Sequence, residues 1–264
     1  MTEEIQISER NGHKLVFNDK EHLYTLDDKP IRGVTTINKE GYPISFALTG
    51  WMVGEGAKFA IEKLKELQQS KKRITEDAIV KIVKSSKVAY RKVAKKSADI
   101  GTKVHDLCYY HELGDQQMFD SLMIEIAGLP DEDKIHNCIE LFSKWKKENR
   151  DDFIMSEALV ASPTHWYAGK FDRLVNRNGK VILSDFKTSS GIFVDMFIQL
   201  AGYAYAIKEW YGITVDGIEI IRFGKYDAAF ETKLVTDPQE IKDYTDQFLR
   251  NVKTVEFRYK YDGE

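Results

Sequence analysis

A chain of 264 residues with 42% hydrophobic side chains can bury a sizeable core, as one large domain or one domain with an appended lobe. A formal net charge of −3 excludes a protein coated in positive charge, although a nucleic-acid enzyme needs only the groove that meets phosphate to be positive. The acidic start Met1-Thr2-Glu3-Glu4 is unlike a secretory signal and no apolar run approaches the ~20 residues of a membrane span, so the expectation is a cytoplasmic protein with no membrane partner.

In chain order, residues 5–37 read as short strands, with Leu15-Val16-Phe17, Leu23-Tyr24-Thr25-Leu26 and Gly33-Val34-Thr35-Thr36-Ile37 separated by turn chemistry at Asn18-Asp19 and Asp27-Asp28-Lys29-Pro30. Gly41 and Pro43 break that pattern, and from about Gly56 the apolar period is helical through Phe59, Ile61, Leu64 and Leu67. Thr75, followed by Glu76 and Asp77, predicts a helix start. That helix is expected to bury Ile79, Ile82, Val83, Val88 and Val93 and to present Lys84, Lys87, Arg91 and Lys95 on one face until Gly101 interrupts it. A second helical stretch runs through Val104, Leu107 and Cys108 toward Gly114, and another is expected over residues 131–149. The two cysteines, Cys108 and Cys138, lack zinc or iron–sulfur spacing and read as idle buried thiols.

Met155 to Ala161 is a predicted strand. Tyr167 to Asn176 and Lys180 to Lys187 predict a hairpin, with Asn178-Gly179 as the turn signal. Asp195 to Tyr211 is helical, Ile213 to Phe223 and Ala229 to Val235 are strands, and Asp237-Pro238 opens a last helix to about Val252. The fold class expected is α/β, a central mixed sheet flanked by helices with a helical N-terminal insertion. Residues 1–97 would hold the N-terminal strands and helical lobe, and residues 98–264 the core.

Three short pieces carry chemistry: Gly169-Lys170-Phe171-Asp172, Ser184-Asp185-Phe186-Lys187-Thr188 and Gln199-Leu200-Ala201-Gly202-Tyr203. Residues two apart on a strand share a face, so Asp185 and Lys187 project together, and Asp172 on the preceding hairpin strand can approach them. Two carboxylates that close repel unless a cation lies between them, and Mg²⁺ or Mn²⁺ suits such hard oxygens, with the Phe186 carbonyl as a further protein oxygen. A metal there would acidify water and stabilise charge on a phosphate. Lys187 would orient or deprotonate that water or contact the scissile phosphate, and acting as base requires a lowered pKa. Gln199 and Tyr203 share a helix face and are expected to line the site, holding a phosphate or Lys187. His105 is a further candidate ligand. An isolated Asp-x-Lys is ordinarily a solvated ion pair; the order of the pieces singles this one out.

That ordered set resembles the PD-(D/E)XK nuclease superfamily, specifically its RecB-like exonuclease branch, whose pattern reads here as Gly101 to His105, Gly169 to Asp172, Asp185 to Thr188 and Gln199 to Tyr203. His22-Leu23-Tyr24 followed by Gly33-Val34-Thr35-Thr36-Ile37 is similar to the start of phage exonucleases related to the mitochondrial genome maintenance exonuclease. The resemblance implies a PD-(D/E)XK nuclease core and an Mg²⁺- or Mn²⁺-dependent exonuclease acting on single-stranded DNA or DNA ends in replication, recombination or repair. A structure-specific endonuclease or an inactive DNA-binding module is the alternative. It implies that His105, Asp172, Asp185 and the Phe186 carbonyl hold metal, that Lys187 serves the attacking water, and that Gln199 and Tyr203 support the site. Glu157 aligns with an acid often present on the preceding strand. Two cysteines are too few for the iron–sulfur cluster of some members. Lys84, Lys87, Arg91, Lys95 and Thr188 are the expected DNA contacts, with Phe46, Trp51, Phe59 and Tyr90 available to stack on bases. No nucleotide-binding loop is present, so any motor would be a separate partner protein.

Overall fold

The computed structural model describes residues 5–70, 74–149, 151–227 and 229–262. Four short strands come first: β1 (Ile5–Arg10), β2 (His13–Asn18), β3 (Leu23–Leu26) and β4 (Lys29–Gly33), each antiparallel to the next. Helix α1 (Val34–Gly41) follows, then α2 (Phe46–Gln69), α3 (Glu76–Ser86), α4 (Ala89–Leu113), α5 (Gln116–Ile126) and α6 (Glu132–Glu148). The remaining elements are β5 (Asp152–Ser162), β6 (Tyr167–Arg177), β7 (Lys180–Lys187), α7 (Val194–Tyr211), β8 (Gly217–Phe223), β9 (Phe230–Val235) and α8 (Pro238–Tyr261). Among the described residues no helix is long and apolar enough to cross a membrane.

The strands form one mixed sheet in the order β1-β2-β3-β4-β6-β7-β8-β9, with β5 also paired to β6. The pairings β4–β6 and β7–β8 are parallel and the others antiparallel. The expected mixed α/β architecture is therefore present. Asn178 and Gly179 both take positive φ (54° and 81°), the geometry of the two-residue turn that their types predict between β6 and β7. Alternation along β7 divides its side chains between two layers. Leu183 joins the main core beneath α7, while Phe186 meets Phe142 and Trp145 of α6 edge-on, together with Phe223 of β8. Helix α7 is buried on nearly every side, including Phe197, Ile198, Leu200, Ala201 and Ile207, and α8 closes over it through Phe248 and Val252.

Two compact units result: residues 1–42 with 103–264, and residues 43–102. The N-terminal strands thus belong with the sheet, and the helical insertion begins after Tyr42.

Several local expectations are corrected. Residues 34–37 open helix α1 instead of extending a strand. Their β-branched composition favours a strand, but Val34, Ile37 and Asn38 recur at helical spacing and are all buried, and tertiary packing overrides so weak a local preference. The lysine stripe does not lie on one helix. Lys84 is in α3, Lys87 caps its end, and Arg91 and Lys95 belong to α4 after the turn at Lys87-Val88, so the helical phase is lost between them. All four are exposed. Ile79, Val83, Val88 and Val93, expected to be buried, are also exposed. Gly101 does not interrupt its helix: α4 runs through it, anchored by the fully buried Val104, Leu107 and Cys108. Helix α5 was not anticipated from the sequence, and α8 runs past the expected end. Thr75 caps α3 as predicted, its hydroxyl accepting from the Ala78 amide. Cys108 and Cys138 are free and buried.

A buried ionic network ties the second layer to the sheet. The Arg173 guanidinium donates to Glu112 of α4 (3.0 Å) and to Asp151 (3.0 Å), and Arg177 donates to Asp151 (2.8 Å) and Glu219 of β8 (2.9 Å). Burial works against the Asp151 charge, but Arg177 and Arg173 hold its carboxyl below the ordinary value. Such a group stabilises the fold above its ordinary value and loses that contribution as pH falls through the lowered one. The protein is expected to lose stability on acidification below about pH 4. Asp151→Asn should lower stability near neutrality and flatten that acid limb, as thermal melts across the acid range will show.

Candidate active site

The site lies where β6 leaves β7. Their ladder ends at Arg173↔Ser184, and beyond it the first half of β6 turns to pair with β4 at Tyr167 and Ala168. Asp172 and Asp185 are the first residues past the last rung, one on each strand. The fork leaves the Phe186 amide without a ladder partner from β6, and the Asp172 carboxylate accepts from it instead (2.8 Å). N–H and C=O of a strand residue face the same edge, so the Phe186 carbonyl faces the fork as well.

His105 reaches the fork from α4, its Nδ1 lying 3.2 Å from Asp172 Oδ2. Lys187 pairs with Asp185, as their shared strand face requires. Asp185 Oδ2 is buried against that ammonium without the alignment of a hydrogen bond. Each acid therefore faces one cationic partner in a little-exposed pair.

Electrostatics follow from that pairing. Burial alone would push the His105 imidazole down, but the Asp172 carboxylate outweighs it and the ring rises to about 9. Burial raises Asp172, yet His105, Lys187 and the Phe186 amide bring it below the ordinary carboxyl value. Asp185 is pushed up to about 6, by burial and by the charge of Asp172, against the pull of Lys187. Lys187 is disfavoured by burial but held above its ordinary value by Asp185 and Asp172, so here it is an ammonium and not a ready base.

Gln199 and Tyr203 of α7 meet as their spacing predicts, with Gln199 Nε2 3.5 Å from the Tyr203 hydroxyl. Both also reach Thr35 in the first turn of α1, at 3.3 Å from Gln199 Nε2 and 3.4 Å from the Tyr203 hydroxyl. Burial lifts the Tyr203 phenol to about 12, with the charges of Asp185 and Asp172 adding to the shift. The Tyr203 ring lies directly on the backbone of Gly169. A Cβ there would sit 2.5 Å from Tyr203 Cε1 and 3.2 Å from Val34 Cγ2. The glycine of Gly169-Lys170-Phe171-Asp172 is thus a clearance for the tyrosine. Gly169→Ala is expected to destabilise by about 1–3 kcal/mol and to shift Tyr203, read by urea denaturation and by tyrosine fluorescence.

Thr188 is buried, and its hydroxyl accepts from Lys225 (3.4 Å) instead of facing outward. Lys84, Lys87, Arg91 and Lys95 belong to the 43–102 unit. So do Phe46, which is almost fully exposed, and Trp51 and Tyr90, whose rings meet edge-on. Glu157 on β5 is paired with Lys170 (2.7 Å), and burial together with the charge of Asp172 raises its carboxyl. Its φ of 49° is a strained value for a non-glycine residue, and it stands across from Asp172. Thr35 and Lys170 were not singled out from the sequence. Thr35 was hidden in a segment whose β-branched run suggested a strand.

The donor set fits a divalent cation through its two carboxylates. Asp185 is buried and Asp172 half-buried, the charge of Asp172 disfavours that of Asp185, and Asp185 keeps an oxygen with no aligned hydrogen bond. His105, Asp172 and Asp185 are not assembled into a ligand group in this arrangement. Among the described residues no set of three His, Cys, Asp or Glu side chains is so placed.

Fold and site together define a mixed-sheet α/β protein with two acids, a lysine and a histidine converging at a strand fork. No family model matches the chain, and no curated protein matches it. Among solved structures it is similar to a candidate exonuclease from Eubacterium rectale, at 12% identity over 61% of this chain with a TM-score of 0.42. The chain spans 65% of the length of that protein. It is also similar to an alkaline exonuclease from Laribacter hongkongensis, at 12% identity over 47% of this chain and 69% of the other, with a TM-score of 0.29.

Proposed function

We propose that this protein is a metal-dependent deoxyribonuclease of the PD-(D/E)XK type, acting as an exonuclease on single-stranded DNA or DNA ends. The observation that supports it most is the convergence of Asp172, Asp185, Lys187 and His105 at the β6/β7 fork, from three separate elements. A divalent cation, Mg²⁺ or Mn²⁺, held by Asp172 and Asp185 would activate water and offset charge on the phosphate. The chain's own groups supply the rest. Asp172 is fixed by the Phe186 amide and His105, so its carboxylate is aimed before substrate arrives. Lys187, as an ammonium, donates to the attacking water or to a phosphate oxygen and stabilises the charge that develops there. His105 holds Asp172 and carries a proton beside it. Gln199 and Tyr203 present neutral donors at the edge of the cluster.

The test uses end-labelled linear and covalently closed circular DNA, single- and double-stranded, with Mg²⁺, Mn²⁺ or EDTA. Shortening of linear DNA with circles intact, abolished by EDTA, is the expected result. Cutting of circles would replace the exonuclease by an endonuclease. Binding without any cleavage would point to an inactive DNA-binding module.

A further inference from the structure

Thr35 is the second residue of α1, inside the first turn and past the position from which a threonine hydroxyl caps a helix. Here the N-cap is Gly33 and no side chain caps the helix. The Thr35 hydroxyl is turned instead to Gln199 and Tyr203 of α7, more than 160 residues away in sequence. Three neutral polar groups from two helices therefore converge beside the acid pair. Their mutual contacts, 3.3 Å, 3.4 Å and 3.5 Å, all lie at the long end of hydrogen bonding. Donors held this loosely by one another can turn to an acceptor that enters between them at little cost. Tyr203 is buried and its phenol stays protonated, whereas Thr35 is exposed, so the cluster opens to solvent on the Thr35 side.

We infer that the Thr35 hydroxyl, with Gln199 and Tyr203, forms an uncharged subsite for a phosphodiester oxygen of the DNA strand. The inference rests on the nuclease reading and deepens it by adding a residue that grips the strand. The chemistry favours a phosphodiester. Asp185 is already paired with Lys187, and a further lysine or arginine there would compete with the cation site for the carboxylates. Hydroxyl and amide donors bind the anion through charge-assisted hydrogen bonds and leave the acids free. Amide and hydroxyl donors are common partners of phosphate oxygens and carry no sequence preference, which suits an enzyme that advances along a strand.

Neutral donors have a signature that basic residues lack. Removing a lysine contact lowers both affinity and the steepness of its salt dependence, because fewer counterions are released. Removing a neutral donor lowers affinity and leaves the salt slope unchanged. The experiment measures binding of a fluorescein-labelled oligothymidylate in EDTA, so that nothing is cut, over a series of salt concentrations. Wild type, Thr35→Val and Thr35→Ser are compared, with thermal melts confirming that each is folded. Valine keeps the shape and removes the hydroxyl; serine keeps the hydroxyl. The expected result is about tenfold weaker binding for Thr35→Val, an unchanged salt slope, and near wild-type affinity for Thr35→Ser. Wild-type affinity in Thr35→Val overturns the subsite, and so does an equal loss in Thr35→Ser, which would trace the effect to the methyl group. If Thr35→Val binds normally while Lys187→Ala is inactive, the nuclease reading stands without this subsite. If the wild type neither binds nor cuts DNA, both fall together.

Discussion

Lys187→Ala is expected to slow DNA cleavage by about 10²–10⁴-fold while the protein remains folded. The side chain projects from β7 on the same face as Asp185 and is the cationic partner of that buried acid. Its loss removes the donor nearest the carboxylate pair. The fold should tolerate this, because Asp185 already sits at about 6 with the lysine present and becomes a neutral acid without it. The discriminating comparison is single-turnover cleavage of an end-labelled strand in Mg²⁺, alongside circular dichroism of both proteins. Lys187→Ala cutting at the wild-type rate would remove the lysine from the mechanism and leave the carboxylates as the only chemistry at the fork.

The second large effect concerns stability. Arg173→Met is expected to cost about 3–5 kcal/mol, as a lower urea midpoint with an unchanged slope. Arg173 is fully buried, bonded to Glu112 and Asp151, and its guanidinium lies over the Trp145 ring at 5.1 Å. Methionine fills the space but leaves both acids short of a buried partner, which is worse than never having buried the group. Lysine is no remedy, since one ammonium cannot reproduce the guanidinium's two directed contacts. Arg173 follows Asp172 directly and points into the other layer, so the network fixes the strand that carries Asp172. A loss below about 1 kcal/mol would show that water reaches the acids and that the network is dispensable.

Much of this protein was legible in its sequence wherever the determining forces are local. Asn178-Gly179 defines the hairpin because both residues tolerate positive φ, and that hairpin sets Asp172 across from Asp185. The Thr75 cap, the apolar run of α7 and the Asp237-Pro238 start of α8 are likewise written in neighbouring residues. The side-by-side placement of Asp185 and Lys187 needed only the two-residue period of a strand. Tertiary structure decided the rest. It made a helix of the β-branched segment after Gly33, because burial of Val34 and Ile37 outweighs propensity, and so brought Thr35 to Gln199 and Tyr203. It ran α4 through Gly101 and split the lysine stripe at Lys87-Val88. It also joined the N-terminal strands to the sheet through the parallel pairing of β4 with β6. Contacts between residues far apart in the chain leave no periodic trace in sequence, and those that bring His105 to Asp172 and Thr35 to Gln199 and Tyr203 are of this kind.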